Sequence, residues 1–121
     1  MSQSTVLPSD EAQSLTLVDA ARVAESGIVS RTLLETPELR VVLFTFAEGQ
    51  ELTPHTSRRR ALVQIVEGSC DFLFGGQWQR LTAGAFLHLP PNHLHAVRAT
   101  AGAFSMLLTL GSEPAGSPSK S

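Results

Sequence analysis

The chain has 121 residues, 42% of them hydrophobic, and nine Lys and Arg against eleven Asp and Glu give a formal charge of −2 and a pI near 6.0. That length suits one domain with a single apolar core, and near-balanced charge excludes the basic field that nucleic acid or an anionic membrane surface would require. The one cysteine, Cys70, excludes an intrachain disulfide and suits a reducing compartment, while the polar start Met1–Asp10 shows neither a signal-peptide pattern nor a membrane span, so a cytoplasmic protein is expected.

In chain order, residues 1–13 are polar and rich in Ser and Gln, which predicts a flexible N-terminal segment. Asp19–Glu25 is the only helical-looking stretch, and it is short. Strands are expected over Ile28–Leu34, Leu39–Ala47, Ala61–Glu67, Cys70–Phe74, Trp78–Leu81, Ala85–Leu89, His95–Arg98 and Phe104–Leu110, separated by Gly, Pro or Ser/Thr turns. Close spacing of short strands predicts an all-β sandwich or barrel over residues 14–110 rather than a βαβ protein. The small, polar, proline-broken residues 111–121 predict a flexible C-terminal tail. Val41–Phe44 and Met106–Leu108 are apolar at every position, so both faces of those strands need cover, by a second layer or by a second subunit; a homodimer is expected.

Gly75-Gly76 reads as a two-residue turn that tolerates positive φ at both positions. That turn sets Asp71 opposite Arg80 and Leu73 opposite Trp78 on one face, and assigns Cys70, Phe72 and Phe74 to the interior. Cys70 is thus read as a small buried apolar group in preference to a catalytic thiol.

Two stretches carry the chemistry. Gly49–Gly68, with His55, Ser57, Ala61 and Glu67 inside it, resembles G-x5-H-x-H-x3-E-x6-G; Gly84–Ala99, with Pro90, Asn92, His93 and His95, resembles G-x5-P-x-G-x2-H-x3-N. These are the two motifs of the cupin family, and the chain looks like a small single-domain cupin of the conserved-barrel (cupin_2) type. The resemblance implies an RmlC-like jelly-roll β-barrel, or double-stranded β-helix, with a metal site on its inner face. The glycines, the proline and the outer histidines are in register. Ser57 replaces the second histidine of motif one, Ala61 its glutamate, Asn92 the glycine of motif two and Ala99 its asparagine. Asparagine is the next residue after glycine to accept a left-handed turn.

Carried over residue by residue, the ligand positions that survive are His55 and His95. His93, two before His95, either joins them as a third ligand, or caps the Pro90–Asn92 turn or faces solvent. His88, flanked by Phe86, Leu87 and Leu89, is read as a core or interface residue before a ligand. Because strand residues two apart share a face, His55 and Ser57 are expected to point inward with Ala61, Val63 and Ile65; Phe72, Phe74, Val97 and Met106 complete the predicted pocket lining. Arg58-Arg59-Arg60 is a solvated loop or, in a sharper reading, places Arg58 or Arg60 at the barrel mouth to contact an anionic ligand.

Three functions follow from different classes. A metal-dependent enzyme, dioxygenase- or isomerase-like, would bind a divalent transition metal (Fe, Mn, Ni, Cu or Zn) through His55, His95 and His93 and act on a small organic substrate. A metal-free module would sense or sequester a small apolar or acidic ligand, and a scaffold dimer would carry a vestigial pocket. Serine-hydrolase elbow, dinucleotide, phosphate-loop and zinc-protease helix patterns are absent from the sequence.

Overall fold

The computed structural model describes residues 5–21 and 26–112. One helical turn, α1 (Leu17–Ala20), precedes nine strands: β1 (Ile28–Glu35), β2 (Leu39–Phe46), β3 (Glu51–His55), β4 (Ala61–Glu67), β5 (Ser69–Phe74), β6 (Gln77–Thr82), β7 (Phe86–Leu89), β8 (His95–Arg98) and β9 (Phe104–Gly111). They form a five-stranded sheet, ordered β1-β2-β9-β4-β7, and a four-stranded sheet, ordered β3-β8-β5-β6. Every recorded pairing is antiparallel. The expected all-β jelly roll is the observed fold.

Alternation builds the core. Along β4, Ala61, Val63 and Ile65 are buried in turn, and they meet Phe46, Phe104 and Met106 of their own sheet and Cys70, Phe72 and Val97 of the facing one. Phe46 and Phe104 stack with ring centroids 4.6 Å apart.

A second apolar cluster lies on the other side of the five-stranded sheet. Leu33 and Leu43 bury there with Ala20, joined by Val6, Leu15, Leu17, Val41 and Leu107. The segment before β1 therefore covers the strands that were apolar on both faces. The cover that argued for a second subunit is supplied within the chain over β2 and β9. The N-terminal segment, expected to be loose over 1–13, is tied at two points: Val6 N–H donates to Thr32 O at 3.2 Å and Leu7 N–H to Leu33 O at 2.7 Å. The helical stretch expected at Asp19–Glu25 is the single turn at Leu17–Ala20; its remainder from 22 to 25, like 1–4 and the tail from 113, lies outside the described residues.

The β5–β6 hairpin has the expected register, with Asp71 opposite Arg80 and Leu73 opposite Trp78, and its glycines sit at φ +61° and +78°. The strand β3 was not among the expected strand ranges, although the motif placed His55 and Ser57 on a strand. Its polar residues and Pro54 lack a strand pattern, and it is held by an irregular pairing to β8 that bulges between Leu52 and His55.

Candidate functional site

β3 and β8 bring the two outer histidines together. His55 ends β3 directly opposite His95 at the start of β8, and their ring centroids are 4.3 Å apart at 59°. Each ring is oriented by its own strand: His55 Nδ1 lies 2.7 Å from Thr53 O, and His95 Nδ1 lies 2.8 Å from His93 O. A carbonyl can only accept, so both Nδ1 atoms carry a proton, and in the neutral form of each ring Nε2 presents the lone pair. Neither Nε2 has a protein hydrogen-bond partner among the described residues.

Burial holds the His95 imidazole below its ordinary pKa. The bond to the His93 carbonyl opposes this, and the like charges of His55 and His93 add to the lowering. Phe72 lies nearly parallel to His95, 19° between planes and 6.4 Å between centroids.

The pair forms one end of a cavity of about 160 Å³ between the sheets. Of the residues expected to line it, Val63, Phe72, Val97 and Met106 do so; Phe44, Leu52, Leu89 and Leu108 complete the wall. Leu108 follows Met106 at the strand period, so alternation along β9 was a signal available in the sequence.

Other expected site residues are elsewhere. Ala61 and Ile65 point inward but belong to the packed core, and Phe74 packs against that core without lining the cavity. Ser57 does not extend β3. The strand stops at His55, and Ser57 Oγ accepts the Arg59 backbone N–H at 3.1 Å while Ser57 O accepts that of Asn92 at 2.6 Å. The strand alternation that placed it beside His55 does not reach it. His93 turns to the β5–β6 hairpin, where its Nε2 accepts the Gly75 N–H at 2.9 Å. Asn92 takes φ +66°, the left-handed geometry expected of it.

The arginines also lie apart from the histidine pair. Arg60 donates to His88 Nε2 at 2.7 Å, which puts the exposed His88 beside the Arg loop. Arg59 donates to Gly111 O. Arg58 and Arg60 line a separate cleft with Glu38, Pro91, Gly111 and Ser112, which shares no residue with the histidine cavity. Cys70 is fully buried and its thiol is pushed up to about 12, first by burial and then by the charge of Asp71.

Beyond the expected Asp71–Arg80 pair, the outer face of the four-stranded sheet carries two features that the sequence did not reveal. The register aligns Glu51, Arg98, Asp71 and Arg80 across all four strands, and Arg98 lies 3.8 Å above the Trp78 ring.

A metal site needs at least three convergent protein donors in the usual catalytic arrangement. Here two imidazole Nε2 atoms converge, no carboxylate joins them, and His93 is engaged with Gly75. Among the described residues no three His, Cys, Asp or Glu side chains gather as a metal-holding group. The donor set present does not fit a metal held by the protein through three ligands.

The fold is thus a jelly-roll barrel with a mostly apolar, partly open cavity that ends in paired histidines. The chain belongs to the cupin family: the Cupin domain model matches residues 42–110. Among solved structures, a conserved protein of unknown function from Streptococcus pyogenes is 27% identical with a TM-score of 0.77, over 95% of this chain and 100% of that one. A cupin 2 conserved barrel domain protein from Leptotrichia buccalis is 32% identical with a TM-score of 0.76, over 81% of this chain and 47% of that one. A cupin superfamily protein from Desulfitobacterium hafniense shares the fold at a TM-score of 0.78 and 24% identity, over 93% of this chain and 100% of that one. No curated protein matches the chain. Among the described residues no helix is long and apolar enough to cross a membrane.

Proposed function

We propose that the protein is a small-molecule-binding cupin whose cavity holds a compact, largely apolar organic ligand against the Nε2 atoms of His55 and His95. One observation carries this reading: two imidazoles with fixed tautomers, 4.3 Å apart, close an otherwise apolar cavity of about 160 Å³. His95 is half-buried and His55 exposed, and their Nε2 atoms, without protein partners among the described residues, are where a ligand's polar group would dock. The reading places the protein in the cytoplasm, where the buried thiol of Cys70 stays reduced. A homodimer rests on a narrower basis than the sequence suggested, the exposed Phe86 on the edge strand β7.

A second reading is a metal-dependent dioxygenase- or isomerase-like enzyme. The fixed tautomers favour it, because histidine ligands are commonly oriented by an Nδ1–H···O=C bond. His55 and His95 would supply two donors, and His93 would have to leave Gly75 to supply a third.

Elemental analysis of protein purified without chelator, beside a His55→Ala/His95→Ala variant, separates the two. No stoichiometric metal in either, with a ligand-induced thermal shift insensitive to chelator, is the expected result. Stoichiometric transition metal in the parent alone would overturn the metal-free reading in favour of the enzyme.

A further inference from the structure

Resting on the small-molecule reading, we propose that the His55–His95 cavity selects a neutral single-ring molecule that donates hydrogen bonds, such as a phenol or an N–H azole, and rejects carboxylates. The hydrogen-bond directions decide this. Thr53 O and His93 O hold the ring protons on Nδ1, so each imidazole offers the cavity an acceptor and no donor. A carboxylate also offers only acceptors and would meet lone pair against lone pair.

Among the described residues of the wall none supplies the missing donor. The remaining wall is Phe44, Leu52, Val63, Phe72, Leu89, Val97, Met106 and Leu108, without a hydroxyl, amide or cation among them. Arg58 and Arg60 border a different cleft. An anion against this wall would meet no donor for its lost hydration, whereas a hydroxyl or azole N–H finds an acceptor at one end and apolar contact along its ring.

Size narrows the class further. An apolar cavity of about 150 Å³ accommodates benzene, and this one is about 160 Å³. A single ring with one or two small substituents fills it, and a fused bicyclic does not. Two acceptors from two rings favour two donors, so adjacent hydroxyls bind more tightly than one.

The experiment is an NMR-monitored titration of full-length protein in chelator, near neutral pH, with phenol, catechol, toluene and benzoate. Phenol should bind roughly threefold to tenfold more tightly than toluene, the margin of one neutral hydrogen bond. Catechol should bind at least as tightly as phenol, and benzoate should be weaker than toluene. His55→Phe, at an exposed position, should lose the advantage of catechol over phenol while still binding toluene. Benzoate binding as tightly as phenol, or toluene matching phenol, would overturn the donor rule and leave the small-molecule reading standing. Binding of none of the four by a protein whose spectrum shows it folded would overturn both.

Discussion

Gly68 and Gly76 form a matched pair that separates backbone strain from steric overlap. Both sit in the left-handed region, at φ +80° and +78°. A Cβ on Gly76 meets nothing within 4 Å. A Cβ on Gly68, between β4 and β5, falls 2.7 Å from Ala103 O, 3.0 Å from Phe104 Cβ and 3.1 Å from Phe104 Cα. The first two distances cannot be relieved by rotating a side chain, because they involve a backbone oxygen and a Cβ at the start of β9. Phe104 stacks on Phe46 in the core, so displacing it disturbs packing beyond the turn. Alanine in left-handed backbone costs about 1–2 kcal/mol, and overpacking adds about 1–3 kcal/mol. Gly76→Ala should therefore destabilise by about 1 kcal/mol and Gly68→Ala by about 2–4 kcal/mol, with reduced unfolded-state entropy trimming both equally. Urea denaturation followed by Trp78 fluorescence measures each, and the thermal midpoint should fall by roughly 4 °C per kcal/mol. Equal losses in the two variants would refute the claim that β9 closes against Gly68.

Three further outcomes test other parts of the structure. The Cys70 thiol, pushed up to about 12 chiefly by burial, should resist a thiol reagent in the folded protein and react stoichiometrically in urea; fast native labelling would contradict the packing of β5. Because the folded-state pKa of His95 lies below its ordinary value of 6.5, its contribution to stability is full above that pH and is lost as pH falls toward the lowered value. In chelator-treated protein the thermal midpoint of His95→Phe should accordingly drop less than the parent's between about pH 7 and about pH 5. Asp71 accepts from Arg80 Nε at 2.7 Å and from Thr100 Oγ1 at 2.5 Å on an open sheet face. Asp71→Asn should cost no more than about 1 kcal/mol, less in high salt, as matched chemical denaturations at two salt concentrations would show.

The hairpin shows what a sequence specifies most firmly. A Gly-Gly turn admits one register, and once Asp71 faces Arg80 the inward set Cys70, Phe72 and Phe74 is determined. The same logic located eight of the nine strands, because each is a local apolar or alternating run. β3 was hidden because Glu51, Thr53, Pro54 and His55 carry no such run; what holds it is pairing to β8, a residue separation no local pattern reports. The histidine pair was legible only through motif spacing, and its chemistry was not. Which ring nitrogen bears the proton depends on the positions of two backbone carbonyls, Thr53 O and His93 O, which no local sequence pattern reports. His93 could not be oriented for a similar reason: its partner is the Gly75 amide of a hairpin 18 residues away.

The two departures from the first cupin motif, Ser57 and Ala61, are physically linked. β3 ends at His55, and position 57 is pinned on both sides, its carbonyl by Asn92 and its hydroxyl by the Arg59 amide. A donor at 57 is thereby drawn away from the histidine pair. Position 61 is buried in the core, 3% exposed, and does not line the histidine cavity, so a glutamate there would be desolvated among apolar side chains. Such a buried, unpaired carboxylate costs several kcal/mol, so alanine is the stable residue once position 57 has withdrawn. Restoring the histidine alone should therefore restore nothing. Ser57→His should lose the turn cap, at about 1 kcal/mol, and show no gain over the parent in a zinc titration. Stoichiometric zinc in Ser57→His that disappears with His55→Ala would show that position 57 reaches the pair, and the linkage between the two sites would fail.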